Sequence, residues 1–284
     1  MAGMSRPRHG SVEPPPPAAP ELAYAGRTPF VAYTEADVLR ELIHVRTDEP
    51  LEMTFVVTTQ IMELHFALLR HEWRTAITAL DNDDVRAAIT ALRRSVTVQD
   101  SLIASWGMFD PMSPVQYNRF RDALGSASGF QSFGYREIEF LLGVKDERML
   151  RPHAGMPRVA ADLQATFDAP SLYERAVAVL ARRGLDVPGE VLDRDPAVAW
   201  TDAVPEVVEA WRQVYVAGGD LAELAEALVT VSERHSRWRF VHYTVVRRIL
   251  GAKPGTAGSA GMTWLKRAVD QVLFVELWEV RSAL

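Results

Sequence analysis

Two stretches of the chain carry residue types that could do chemistry. In WRFVHYTVVRRILGAKPGTAGSAGMTWL, residues 238–265, Trp238, His242, Val245 and Ile249 recur at helical steps. That spacing puts an imidazole on a face otherwise suited to burial. Such a histidine either bonds a core neighbour or offers a lone pair to a metal, and both readings stand here. Gly251 fits a helix stop and Pro254 blocks continuation. GTAGSAG, residues 255–261, then supplies backbone amides and two hydroxyls with little bulk, as a linker or a cover. It lacks the Gly-Lys-Ser/Thr ending of a phosphate loop and follows a helix, where a dinucleotide fingerprint would follow a strand.

The second stretch holds Tyr117 and Arg121, one helical turn apart, just before a loop of glycines and serines. A guanidinium there can present its planar fork to a carboxylate while the phenol walls the same cleft. A salt bridge from Arg121 to Asp122 or a nearby glutamate satisfies the same spacing. Thr59 is a third point of interest, a hydroxyl within the apolar stripe Phe55, Thr59, Met62, Phe66. It either bonds back to the carbonyl one turn earlier or faces a site.

These residues need long elements to position them, and the periodicity supplies helices. After Thr34 the stretch through Val45 has helical spacing, with Glu35 and Asp37 in its first turn and Phe30 and Tyr33 on a leader before it. Helices are predicted over 51–80, 85–108, 115–124, in GYREIEFLLG, SLYERAVAVLARRG and PEVVEAWRQVY, from 220 through His242, and in FVELWEVRSAL. Residues 152–169 read as less regular. Alternating runs of period two are lacking, so the fold is expected to be all-α, built on several long packed helices.

Composition narrows the function classes. Of 284 residues, 48% are hydrophobic and 24% charged, which suits a globular protein with a sizeable core. The net charge of -6 argues against a nucleic-acid partner, and the Arg93-Arg94 and Arg247-Arg248 pairs read as solvated helix faces. With no cysteine, disulfides, zinc knuckles and thiolate ligation of haem are excluded, so any haem would hang on histidine or, failing that, tyrosine or methionine. No long apolar run or signal-peptide order is present, so the expectation is a cytoplasmic protein with no membrane span. Residues 1–22 are proline-rich and read as a loose leader, and 23–284 as one helical domain.

Taken together, GSASGFQSFGYREIEFLLG at 125–143, WRFVH at 238–242, GTAGSAG at 255–261 and VELWEVR at 275–281 resemble the tryptophan 2,3-dioxygenase family. The resemblance runs from about Thr28 to the C-terminus. It implies an all-helical haem-binding fold, haem b with O2 as co-substrate, L-tryptophan or a substituted tryptophan as substrate, and a homotetramer. By that resemblance His242 is the proximal iron ligand and Arg121 clamps the amino-acid carboxylate. Tyr117 and Phe55 are aromatic walls, Thr256 meets the backbone end of the substrate, and Trp106 lines the pocket. Tyr33 corresponds to an aromatic residue donated by a neighbouring subunit. Two departures stand out: Thr59 occupies the place of the family's distal histidine, and Phe30 that of a tyrosine. The implied reaction puts both oxygen atoms into the indole to give N-formylkynurenine. The departures leave open a one-oxygen outcome giving a 2-oxindole, a non-catalytic haem sensor, or a helical scaffold with His242 simply packed.

Overall fold

The computed structural model describes residues 22–284 apart from 254 and 257–260. Most of the leader, Pro254 and the middle of GTAGSAG therefore lie outside the described residues. Among the described residues there is no strand, and the expected all-α class is observed. Among the described residues no helix is long and apolar enough to cross a membrane. The chain divides into two compact units, Met1–Ile43 and His44–Leu284.

The first unit holds two short helices, α1 (Pro29–Thr34) and α2 (Ala36–Glu41). The helix expected after Thr34 is α2, with Asp37 in its first turn, though it stops at Glu41, short of Val45. Helix α1 is an additional helix on the leader, where Thr28 accepts from Val31 N at 3.2 Å and Pro29 is preset for the first turn. Glu35 at φ 53° then separates the two. Phe30 and Tyr33 consequently sit on α1, with their side chains 70% and 92% exposed.

The second unit is built on three long helices, α3 (Pro50–Asp81), α4 (Val85–Ser105) and a later one that carries His242. Asp84 caps α4 by accepting from Ala87 N at 3.0 Å, and α4 tightens into a 3-10 turn over Trp106–Phe109. Shorter helices follow: α5 (Pro114–Arg121), α6 (Phe133–Leu141), α7 (Pro157–Asp168), α8 (Leu172–Arg182), α9 (Gly189–Leu192) and α10 (Pro205–Ala217). The long α11 (Asp220–Leu250) precedes α12 (Met262–Asp270) and α13 (Val275–Ala283). The stretch 152–169, expected to be irregular, holds α7, whose first turn is set by Pro157.

Helix α3 packs on α4, α6 and α8, α4 on α11, α11 on α12, and α10 on α13. Trp73, Leu80, Leu92, Trp211 and Leu228 are fully buried between them. Buried Glu276 of α13 ties the far end by accepting from Tyr173 Oη and Trp200 Nε1, each at 2.8 Å, and from Val204 N at 3.0 Å. These helices hold α3 and α11 in place on two sides of one hollow.

Candidate functional site

Helices α3, α5, α6, α11 and α12 enclose a cavity of about 530 Å³, within the range that takes a cofactor or small ligand. The α3 stripe supplies Phe55, Thr59, Met62 and Phe66 to its wall, and the α11 face supplies Trp238, His242, Val245 and Ile249. Both stripes read from periodicity therefore meet across one space.

His242 is half-buried, and its ring stacks on Trp106, with centroids 4.6 Å apart and planes 18° from parallel. Trp238 lies one turn earlier on α11, 5.4 Å from the same ring. Neither ring nitrogen of His242 has a hydrogen-bond partner among the described residues. Burial, and secondarily the nearby Arg136 charge, push its pKa down to about 4. The imidazole is therefore neutral at neutral pH, and its lone pair is available to a metal. One imidazole suffices for iron that arrives in a macrocycle with its own nitrogens, and the aromatic walls suit a flat apolar ring system. The residues present fit a haem.

Thr59 does both things left open above. It lines the cavity, and its hydroxyl donates to Val56 O at 2.8 Å and Phe55 O at 3.0 Å. Its single hydrogen is thereby committed to the backbone, so only lone pairs face the hollow. Thr59 can accept a hydrogen bond from a ligand without giving it a proton.

Tyr117 on α5 is buried on the wall, tilted against Phe55 at 6.3 Å between centroids. Burial pushes its phenol pKa up, with the Arg121 charge opposing. Arg121 itself ends α5 half-buried, one turn past Tyr117, and is not among the residues lining the wall. Thr256 does line it, and its hydroxyl donates to Ala127 O across the mouth. Phe30 and Tyr33 belong to the other unit.

Sequence reasoning missed the charged groups that are on the wall: Glu63, Arg136 and Lys253. Glu63 sits one turn past Thr59, and burial raises its carboxyl pKa while Ser132 and the Gly134 amide hold it down. Gly134 allows a close approach there: a Cβ would stand 2.5 Å from Glu63 Oε2 and 3.2 Å from Phe66 Cβ, so a larger residue would push the Glu63 carboxyl out of its present place. A glycine inside a helix, at a cost of about 1 kcal/mol relative to alanine, was the available signal of this close approach. Arg136 is buried on α6 and bonds Glu139 Oε2 through Nη1 at 2.6 Å. Glu139 also takes Nη2 of buried Arg239 at 3.0 Å.

Three histidines, His153 and His235 buried and His242 half-buried, are expected to make stability depend on acid pH. Burial lowers the pKa values of His153, His235 and His242, helped by Arg136 in each case and by Arg239 at His235. Unfolded histidines titrate at about 6.5, so just below that pH the unfolded chain binds more protons than the folded one. Stability is fullest above pH 6.5 and falls as pH drops, His242's share being lost down to about pH 4. Glu63 and Glu276, whose pKa values are raised, act in the opposite sense in the carboxylate range. The melting temperature of haem-free protein should fall between pH 6.5 and 5, with a shallower slope in His235→Gln. A flat profile would contradict this.

Comparison with known proteins gives a consistent picture. The family model described as tryptophan 2,3-dioxygenase matches residues 18–217 and 213–284. The chain is 38% identical over 270 residues to a tryptophan 2,3-dioxygenase of Burkholderia pseudomallei (strain 668), covering 93% of this chain and 87% of that protein. The same identity and coverage hold for a tryptophan 2,3-dioxygenase of Burkholderia mallei (strain SAVP1).

Proposed function

The chain belongs to the tryptophan 2,3-dioxygenase family, and on that premise we propose that it is a haem-dependent oxygenase of the tryptophan indole ring. The reaction is insertion of O2-derived oxygen at C2 and C3 of L-tryptophan or a substituted tryptophan, with N-formylkynurenine as product. The observation that carries this reading is His242: a neutral, unpartnered imidazole, stacked on Trp106, on the wall of an aromatic cavity.

Bound on His242, haem supplies the activation of O2. The chain's own part is to hold the second substrate. Phe55 and Tyr117 flank the indole, Arg121 clamps the carboxylate and Thr256 meets the ammonium end, so the ring is presented in one orientation. Thr59 accepts from the indole N–H, and leaving that N–H unpaired would cost about 1 to 3 kcal/mol. Phe30 and Tyr33, exposed on α1, fit a role as residues given to a neighbouring subunit of a homotetramer. Titrating the haem-loaded protein with tryptophan and with ring- or side-chain-methylated tryptophans tests the reading. A saturable shift of the haem spectrum is expected, and a spectrum indifferent to every one of them would sink it.

Thr59 favours a second outcome. With its only hydrogen on the backbone, no titratable group stands at the position where the family has a histidine. The alternative is a one-oxygen route to a 2-oxindole, in which the second atom of O2 would leave as water with two electrons taken from an external donor and two protons from solvent. Thr59→His should raise the share of N-formylkynurenine, measured by product mass, and an unchanged product ratio would make position 59 neutral for the chemistry.

A further inference from the structure

The cavity wall contains a cation whose binding edge is unused. Arg136 Nη1 is taken by Glu139 at 2.6 Å, but Nε and Nη2, both buried, have no partner. These are the two donors of the guanidinium's side edge, parallel and spaced to meet both oxygens of one carboxylate. The plane of the fork is fixed: Arg136 Cζ lies 4.5 Å from the centroid of the Tyr135 ring and 5.6 Å from that of Trp264. Its remaining neighbours do not settle its charge. Glu139 is shared with Arg239, so two buried guanidinium groups face one carboxylate. Arg239 completes its own donors on Tyr135 Oη at 3.3 Å and Ala268 O at 3.1 Å. Asp146, which feels the Arg136 charge, is held by both Nε and Nη2 of Arg148 at 2.9 and 2.8 Å. A buried, oriented and half-satisfied fork on the wall of a cavity calls for an anion supplied by the occupant.

We infer that the Nε and Nη2 edge of Arg136 receives a side-chain carboxylate of the haem, making Arg136 the anchor that fixes the macrocycle's rotation about the His242 axis. This rests on the haem reading above. Two sources could provide a carboxylate in this cavity, the macrocycle and the amino acid, and the geometry favours the first. Tyr135, on which Arg136 stacks, packs against Trp238 at 4.8 Å, and Trp238 packs against His242 at 5.4 Å. The fork therefore belongs to the aromatic shelf that holds the iron ligand, whereas Tyr117 and Arg121 stand on α5. In this arrangement Arg121 serves the substrate and Arg136 the prosthetic group.

The test compares two probes on haem-free protein: haem, and haem dimethyl ester, whose carboxylates are blocked. Binding is followed by the Soret band. Wild-type protein should bind the free acid about tenfold or more tightly than the diester, the size of one charge-assisted pair. Arg136→Gln should lose that preference by weakening haem alone, and Arg136→Lys, which keeps the charge without the fork, should fall between. Equal affinity of wild-type protein for the two probes would overturn the inference while leaving His242 ligation intact, and it needs no variant. A raised KM for tryptophan in fully haem-loaded Arg136→Gln, with the free-acid preference retained, would also overturn it, by assigning the fork to the amino acid. Failure of wild-type protein to bind either probe would remove the haem reading itself, and the anchor with it.

Discussion

Replacing His242 by alanine is expected to give a folded protein that retains almost no haem. The expectation follows from what His242 does and does not do in the fold. It makes no hydrogen bond, so its removal strands no buried partner, and the loss to the haem-free fold is the ring contacts with Trp106 and Trp238, each on the order of 1 kcal/mol. Among the described residues the remaining wall offers iron the thioethers of Met62, Met112 and Met149, the phenols of Tyr117 and Tyr135, the Glu63 carboxyl and the Lys253 amine. Neither phenol is readily ionised, since burial raises both pKa values, that of Tyr135 to about 12, and none of these groups is a ring packed on both Trp106 and Trp238, as His242 is. Haem affinity should therefore fall by about 100-fold or more. Added imidazole should partly restore the haem spectrum by occupying the space between Trp106 and Trp238, as small ligands fill engineered cavities. Full haem occupancy in His242→Ala without imidazole would refute the ligand assignment.

The second large effect is expected at Arg121. Arg121→Ala should weaken tryptophan binding by about 2 to 5 kcal/mol, because the carboxylate is left partly desolvated without its partner. In dissociation constants this is roughly 30-fold to several thousandfold. Haem content should not change, since Arg121 is not among the residues that line the cavity. The check is the tryptophan concentration that half-saturates the spectral shift of the haem-loaded variant. An unchanged value would hand the clamp to another cation, and Lys253, which also lines the cavity, is a candidate. Arg121→Ala and Arg136→Gln are thus expected to separate cleanly, one losing substrate and the other prosthetic group.

What could be read from the sequence was what helical periodicity encodes. The stripe Phe55, Thr59, Met62, Phe66 and the face Trp238, His242, Val245, Ile249 are local patterns, and each lies along one helix as its spacing requires. Gly251 ends α11 at φ 60°, a conformation that favours glycine. The Glu35 break between α1 and α2 was not legible, because a glutamate in the left-handed region carries no compositional mark. Arg136 was hidden for a different reason. Periodicity places Arg136 on a helix in GYREIEFLLG and gives it no role, yet its partner is Glu139 on the same helix, which is shared with Arg239 of α11. Burial of that pair of guanidinium groups is a property of the packed α6 and α11 that no window of sequence contains. Thr59 marks the intermediate case. The sequence offers back-bonding or a cavity role, and the structure has a wall residue whose hydroxyl is also tied to Phe55 O and Val56 O.

The central claim is that this cavity oxygenates an indole held opposite His242. Its most direct test is a turnover of tryptophan by ferrous, haem-loaded protein under isotopically labelled O2, read by the mass of the product. The account predicts a product carrying oxygen from the labelled gas, with two labelled atoms for N-formylkynurenine. Recovery of tryptophan and its methylated analogues unaltered, from protein with haem seated on His242, would contradict it.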